Sequence, residues 1–243
     1  MEKGSTTDKL STCAVHTSPV PTPVPTPERA PATTTTSTTG VSAGATPPPG
    51  EFYKPAQNKD SGLLANDDVA YAEAYVVRPP APDVVVVTGN APTHAPGDHP
   101  SPWPAPGNDV RYCSMCIGVG IADTPTVVNH LPGGNTDYGC RADQATRVDT
   151  AGDYTYVIGT EAQRAAIAQV PDVTFVPFST SQATSVYILL LRDLLVSSRF
   201  TYSVQNITTM LSPAAATAAI GPYYPTVSAC PLATLAAKGV QGC

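Results

Sequence analysis

The chain has 243 residues, of which 13% are charged and 27 are proline, and this composition excludes a long helical bundle or a coiled coil. Its net charge of −6 gives no basic field for nucleic acid, so no nucleic-acid partner is expected. The longest apolar run, 186–191, ends at Arg192 and Asp193 and is far shorter than the ~18 residues that indicate a transmembrane helix.

Residues 1–50 are rich in Ser, Thr and Pro, with alternating proline over 19–27 and consecutive threonines over 33–36. Such a segment buries too little apolar area to offset its chain entropy, so we expect a disordered spacer followed by a folded domain over 51–243. Proline-rich chains are stiff and extended, which suits a stalk that holds a domain away from a surface. A disordered tail without a role has the same composition.

The first ten residues are polar, so the sequence as written contains no secretory signal. Residues 10–13 nevertheless resemble the end of a bacterial lipoprotein signal. This similarity suggests lipid or surface tethering through Cys13 and the spacer, and the alternative is an isolated cysteine in a tail. Together with the cysteine content, the spacer leads us to expect a secreted or cell-envelope protein.

The folded part consists of short apolar runs separated by turns rich in Pro, Gly and Asp, which is typical of strands in an all-β domain. The predicted strands are 70–77, 84–88, 110–117, 126–129, 154–158, 173–176 and 186–191. Helical character is clear only over 161–169, between the candidate N-cap Thr160 and Pro171, with weaker segments near 198–206 and 213–219. The pattern favours a mostly β, jelly-roll-like antiparallel β-sandwich with one or two short helices.

The even number of cysteines, six, favours disulfide bridges over reactive thiols. Cys113 and Cys116 form a CxxC, but in a strand they face opposite ways with Cα atoms ~10 Å apart, beyond the ~7 Å that a bridge allows. Redox chemistry and a zinc site with Cys140 and a histidine are the alternatives, although the usual second ligand pair is missing. We predict bridges Cys116–Cys140 and Cys230–Cys243, with Cys113 packed as a small hydrophobe and no metal.

Several segments follow, in order, the motifs of a known family. The family motifs are NPDNAY, VVRGKAPT, RYWSLC, DADGYYTIVVS, VTWLPW, LILRNML and IQN. The corresponding segments here are 66–71, 86–93, 111–116, 149–158, 173–178, 189–194 and 205–206. Over residues 60–243 the chain therefore resembles a family of uncharacterised, exported, mostly actinobacterial proteins related to the jelly-roll half of a bacterial pair of domains of unknown function. The resemblance implies a jelly roll and an exported protein.

The chain departs from this family at two motifs. The family tryptophan of RYWSLC is Cys113 here, and the two tryptophans of VTWLPW are Phe175 and Phe178, so any pocket built from indole faces is altered. The family also has more sequence before NPDNAY, and a shortened front can leave the sandwich one strand short.

Two pairs of aspartates match the arrangement that general acid and base catalysis uses. The pairs are Asp67 with Asp68 and Asp149 with Asp153. Both pairs lie in turn-like sequence, where Asp is also favoured because its side chain bonds the local backbone. A structural role in turns is therefore the alternative to catalysis.

Two further residues are candidates for a site. Asp143 lies where the resembled family also has an acid. Arg192 follows six apolar residues, so it either forms an internal ion pair or binds an anion at a pocket. The catalytic candidates are thus Asp67, Asp68, Asp143 and Arg192.

Four tyrosines are candidates for ligand binding, namely Tyr71, Tyr112, Tyr154 and Tyr156. On one face of a sheet they would form a sugar-binding platform, because each ring offers an apolar face and a polar tip. The alternative is that they are ordinary strand and core residues. His94 and His99 lie in a Pro/Gly-rich loop and are expected at the surface.

Two functions remain open at this point. The first is a non-enzymatic, exported or surface-tethered sandwich that binds a small molecule, a glycan or an envelope partner. The second is a hydrolase or isomerase that uses Asp67, Asp68, Asp143 or Arg192 in the mouth of a jelly roll. A concave pocket holding two of these groups would favour the enzyme. Neither function requires a cofactor.

Overall fold

The computed structural model describes residues 47–56, 68–95, 102–120 and 124–243. All of them belong to one compact unit, Ala43–Cys243. Four features singled out in the sequence lie outside the described residues: the spacer up to residue 46, Cys13 within it, Asp67 and His99.

Ten strands form within the described ranges, and seven of them overlap the predicted strands. In chain order they are β1 (Val69–Val77), β2 (Asp83–Asn90), β3 (Val110–Val119), β4 (Val128–His130), β5 (Thr136–Tyr138), β6 (Cys140–Ala142), β7 (Asp153–Gly159), β8 (Val173–Pro177), β9 (Val186–Val196) and β10 (Thr226–Pro231). The sequence pattern did not reveal β5, β6 and β10. The first two are only three residues long, and β10 ends in a proline.

The described residues also form three short helices, α1 (Arg164–Ile167), α2 (Pro213–Ile220) and α3 (Leu232–Lys238). α1 continues a 3₁₀ turn that starts at the predicted cap, where the Thr160 N–H donates to Gln163 Oε1 at 2.8 Å. Together they account for the predicted helix 161–169, and α2 accounts for 213–219. Near 198–206 only a 3₁₀ turn forms, Val204–Asn206, and α3 was not predicted.

The strands assemble into two four-stranded sheets and one hairpin. The first sheet has the order β1-β9-β3-β6, the second has the order β10-β2-β7-β8, and β4 pairs with β5. Among the described ladders only β7 and β8 are parallel. A parallel pair needs a crossover connection, which the 3₁₀ turn and α1 provide here.

The two sheets face each other across one apolar core. Side chains alternate along each strand, so Ala72 of β1 and Leu189 of β9 share a buried cluster with Val87 of β2 and Ile158 of β7. Successive strands β1, β2 and β3 alternate between the sheets, as they do in jelly rolls. The predicted mostly β, jelly-roll-like sandwich is therefore confirmed.

Helices cover the outer face of the second sheet. Val86 and Val157 on that face pack with Ile167 of α1 and Leu235 of α3 in a second buried cluster. Neither cluster contains a residue from the outer face of the first sheet. That face is therefore not part of either buried apolar cluster, and its side chains are candidates for a binding site.

Both predicted disulfides form. Cys116 and Cys140 lie opposite each other on β3 and β6 with Cα atoms 4.0 Å apart, and Cys230 and Cys243 enclose α3 with Cα atoms 5.3 Å apart. Cys113 is unbridged. In the described part of the chain, no helix is long and apolar enough to span a membrane.

Candidate functional site

Three polar or aromatic residues form a row across the outer face of the first sheet. Tyr71 of β1 lies opposite Arg192 of β9, and Arg192 lies opposite Ser114 of β3. Tyr112 is two residues before Ser114 and therefore shares this face. Strand pairing thus brings Tyr71, Tyr112 and Arg192 together, and we call these three residues the tyrosine–arginine patch.

The guanidinium of Arg192 lies between two aromatic rings. Its Cζ is 5.7 Å from the ring centroid of Tyr71 and 5.4 Å from that of Tyr112. At these distances the ring quadrupoles attract the cation. Among the described residues, no carboxylate forms an ion pair with Arg192, and its described partners are the two rings.

Two hydrogen-bond donors in this row lack an acceptor. Arg192 Nε and Ser114 Oγ are buried and have no hydrogen-bond partner. Ser114 as a whole is only 2% exposed. Buried donors without a partner are rare in native proteins, and an ordered water or an ion often completes them. The row therefore has two donors that an acceptor oxygen would satisfy, although both atoms are buried.

A groove lies where β1 begins and β9 ends. It has a volume of about 430 Å³, within the size range of small-molecule sites. We call it the end groove, and it is lined by Asp68, Leu195, Val196, Ser197, Ser198, Phe200, Thr201, Ser203, Gln205 and Asn206. Most of these side chains carry a hydroxyl, an amide or a carboxylate, so the groove suits a hydroxyl-rich ligand.

A second set of polar side chains lies inside the sandwich, at the end of the core. We call Cys113, Asp143, Tyr154, Tyr156 and Asp193 the interior polar cluster. Cys113 and Asp193 are opposite each other on β3 and β9, and the side chains of Asp143, Tyr154, Tyr156 and Asp193 are all buried. Tyr154 OH and Asp143 Oδ2 have no hydrogen-bond partner.

Burial is the largest cause of the raised pKa values of Cys113 and Asp193 in the interior polar cluster. It raises the pKa of Asp193 to about 6, although a hydrogen bond from Val204 N at 3.2 Å acts in the opposite direction. Burial, followed by the charges of Asp193 and Asp143, raises the pKa of the Cys113 thiol well above its usual value. Cys113 therefore remains a protonated thiol, which is a poor nucleophile.

The space beside this cluster is small. A cavity of about 20 Å³, lined by Tyr154 and Asp193 among others, holds about one water molecule. Substrate pockets are commonly more than ten times larger. The cluster is therefore a buried polar feature of the core rather than a substrate site.

A third cavity, of about 560 Å³, lies on the second sheet and is lined by Asp149, Asp153 and Asp172 among others. The carboxylate of Asp149 accepts hydrogen bonds from the backbone of Ala151 and Asp153. Asp149 thus has the structural turn role that the sequence offered as an alternative. Among the described side chains, no group of three His, Cys, Asp or Glu residues is arranged to hold a metal ion.

The structure separates the four tyrosines that the sequence grouped. Tyr71 and Tyr112 lie on the outer face of the first sheet, whereas Tyr154 and Tyr156 point into the core from β7, each 4% exposed. The prediction of one platform with all four rings is therefore wrong. The physical reason is that β7 is a central strand of the other sheet, and its alternate residues face the core.

The three described catalytic candidates are not in one pocket. Asp68 lines the end groove, Asp143 is buried inside the sandwich, and Arg192 lies on the outer face of the first sheet. Asp67 lies outside the described residues. The convergence that would have favoured a hydrolase or isomerase is therefore not found among the described candidates.

The environments of two other predicted residues differ from expectation. His94 is not an isolated surface side chain, because its Nδ1 lies 3.6 Å from Asp143 Oδ2. Cys113 is partly exposed and lies near two carboxyl groups, so it does not pack as a purely apolar residue.

Sequence reasoning missed Asp193 and Ser114 as site residues. The alternation of β9 contained a signal for Asp193, because the neighbour of an outward Arg192 must face the core. Nothing in the sequence distinguished Ser114, since its importance depends on the register between β3 and β9.

No family model and no curated protein matches the chain. Among solved structures, the chain is similar to an uncharacterized protein from Burkholderia cenocepacia, with 12% identity and a TM-score of 0.39 over 75% of this chain and 35% of that chain. It is also similar to the VPA0106 protein from Vibrio parahaemolyticus, with 15% identity and a TM-score of 0.39 over 70% of this chain and 33% of that chain. The chain thus spans about a third of the length of these two proteins.

Proposed function

We propose that the chain is a binding module, that the tyrosine–arginine patch is its site, and that its ligand is a sugar carrying one carboxylate. The observation that carries this proposal is the position of Arg192, between two tyrosine rings and opposite the unpartnered hydroxyl of Ser114. A carboxylate supplies acceptor oxygens of the kind that both groups lack, and it reaches these two buried atoms when the side chains around them move. Arginine binds carboxylates through paired, charge-assisted hydrogen bonds.

The tyrosines favour a sugar over a simple carboxylic acid. A tyrosine ring packs against the apolar side of a sugar, while its hydroxyl reaches a sugar hydroxyl. Tyr71 is 38% exposed, so a ligand can reach its ring. The two rings beside Arg192 therefore suit a ligand that has both a ring and a negative charge.

The overall charge favours a ligand with a single carboxylate. The chain carries a net charge of −6, and a protein field of this sign repels a polyanion. One guanidinium between two uncharged rings neutralises one negative charge. A mostly neutral glycan with an occasional uronic acid fits this balance better than a densely charged polymer.

The proposal includes export or attachment to the cell envelope, and membership of the exported actinobacterial family whose motif order the chain follows. The two disulfides support export, since such bonds persist in oxidising compartments. A Pro/Thr-rich spacer before the domain supports surface attachment. Peptide mapping of the protein isolated from cell envelopes tests both points, and recovery from the cytoplasm with reduced cysteines would overturn them.

Calorimetric titration of the full chain with glucuronate tests the binding site. We expect Arg192→Met to weaken glucuronate binding by about 10- to 100-fold, because a hydrogen bond to a charged group contributes about 1.5–3 kcal/mol. Glucose has the same ring without the carboxylate, and we expect it to bind the unmodified chain as weakly as glucuronate binds the variant.

Arg147 provides a matched control, because it is an exposed arginine that lies outside the patch. Arg147→Met should leave glucuronate affinity unchanged. The proposal is wrong if Arg192→Met binds glucuronate as tightly as the unmodified chain does, or if glucose and glucuronate bind equally well.

A further inference from the structure

We propose that the end groove is a second subsite, which binds a neutral, hydroxyl-rich unit next to the acidic sugar. This inference rests on the proposed function, because it extends the same ligand beyond the tyrosine–arginine patch. The ligand is then an oligosaccharide in which a single uronic acid is joined to neutral sugars.

The position of the groove supports this extension. Asp68 directly precedes β1 and comes three residues before Tyr71, and Leu195 comes three residues after Arg192 on β9. At a rise of about 3.3 Å per residue, each separation is about 10 Å along the chain. Because an odd separation turns side chains to opposite faces of a strand, a ligand that fills both subsites passes around the end of the first sheet. Leu195 N donates to Asp68 O at 2.7 Å, so the two strand ends are joined at the groove.

Gln205 provides a hydrogen-bond acceptor in the groove, and no donor among the described residues pairs with this acceptor. Its Nε2 donates to the backbone oxygen of Asp193 at 3.0 Å, which fixes the orientation of the amide. Gln205 Oε1 is buried and has no hydrogen-bond partner. A sugar hydroxyl is a donor that satisfies such an oxygen, and an ordered water takes its place when no sugar is bound.

The remaining lining suits a neutral group. Ser197, Ser198 and Thr201 provide hydroxyls that both donate and accept hydrogen bonds, while the buried Phe200 provides an apolar surface. Among the described residues that line the groove there is no lysine or arginine, and the one carboxylate is that of Asp68. The carboxylate is therefore expected at Arg192 and the neutral sugar in the end groove.

The test compares the affinities of two probes by calorimetric titration of the full chain. Glucuronic acid occupies the patch alone, and an aldotriouronic acid, in which glucuronic acid is joined to two xyloses, reaches both subsites. We expect the unmodified chain to bind the trisaccharide at least about tenfold more tightly than the monosaccharide. Ser198→Trp, which fills the groove from an exposed position, should reduce this ratio to near one.

Ser181→Trp is the matched control, because Ser181 is also exposed and does not line the groove. It should leave the ratio unchanged. Gln205→Ala should lower the ratio as well, and its unfolding midpoint shows whether the lost bond to Asp193 affects folding.

The outcomes separate the two proposals. If glucuronate binding depends on Arg192 but the trisaccharide gains nothing, the second subsite is wrong and the binding site at the patch stands. A ratio that survives Ser198→Trp likewise overturns the groove assignment. If neither probe binds, both proposals fail.

Discussion

Replacing Asp193 with asparagine is expected to stabilise the protein at neutral pH by about 3 kcal/mol. Burial raises the pKa of Asp193 to about 6, from a reference value of 3.8, and one pKa unit corresponds to about 1.4 kcal/mol. Above pH 6 the folded protein carries a buried, ionised carboxylate, whereas asparagine is uncharged. Asparagine also retains an oxygen for Val204 N, which donates to the Asp193 carboxylate at 3.2 Å.

The stabilisation has a defined pH window. Below pH 3.8 Asp193 is protonated in both states, and between pH 3.8 and 6 only the folded state holds the proton. The stability of the unmodified chain therefore falls relative to Asp193→Asn as the pH rises through this window, and the difference is constant above it. The side chains that face Asp193 are Cys113 across the strand pair and Tyr154 from the opposite sheet.

Guanidinium denaturation of both proteins at pH 4, 5, 6 and 7.5 measures this effect. Asp172→Asn provides a control, because Asp172 is an exposed aspartate and its change should give a much smaller difference. Equal stability of Asp193→Asn and the unmodified chain at all four pH values would show that Asp193 is not a strained buried acid.

The sequence contained most of the information needed for the fold. Apolar runs located seven of the ten described strands, because a strand with one buried face repeats every two residues. β5 and β6 could not be found in this way, since each has three residues and contains no apolar run, whereas β4 overlaps the apolar segment 126–129. β5 pairs with β4 in the hairpin, and the Cys116–Cys140 bridge holds β6 beside the longer β3.

The candidate site was only partly predictable. Arg192 and Tyr71 were selected individually, because an arginine after an apolar run and a tyrosine in a strand are visible in the chain. Their association with Ser114 depends on the register of β1, β9 and β3, which alternation alone does not determine. The sequence also does not show that Tyr154 and Tyr156 of β7 belong to the second sheet. It therefore predicts the wrong face for these two tyrosines.

The Cys116–Cys140 bridge connects two strands of very different length. β3 has ten residues and is hydrogen-bonded to β9 along most of its length, whereas β6 has three residues and, among the described strands, pairs only with β3. A three-residue edge strand contributes few hydrogen bonds of its own. The covalent link therefore reinforces the backbone bonds near it, such as those from Val127 N to Ile117 O at 3.0 Å and from Ile117 N to Gly139 O at 2.7 Å.

The double variant Cys116→Ser, Cys140→Ser is expected to lose about 3–4 kcal/mol of unfolding free energy. The bridge joins cysteines 24 residues apart, and closing a loop of this size restricts the unfolded chain by about that amount. Guanidinium denaturation without reductant measures the loss, with Cys113→Ser as the control, because Cys113 is unbridged. A double variant as stable as the Cys113→Ser control would mean that the strand pairing alone holds β6 in place.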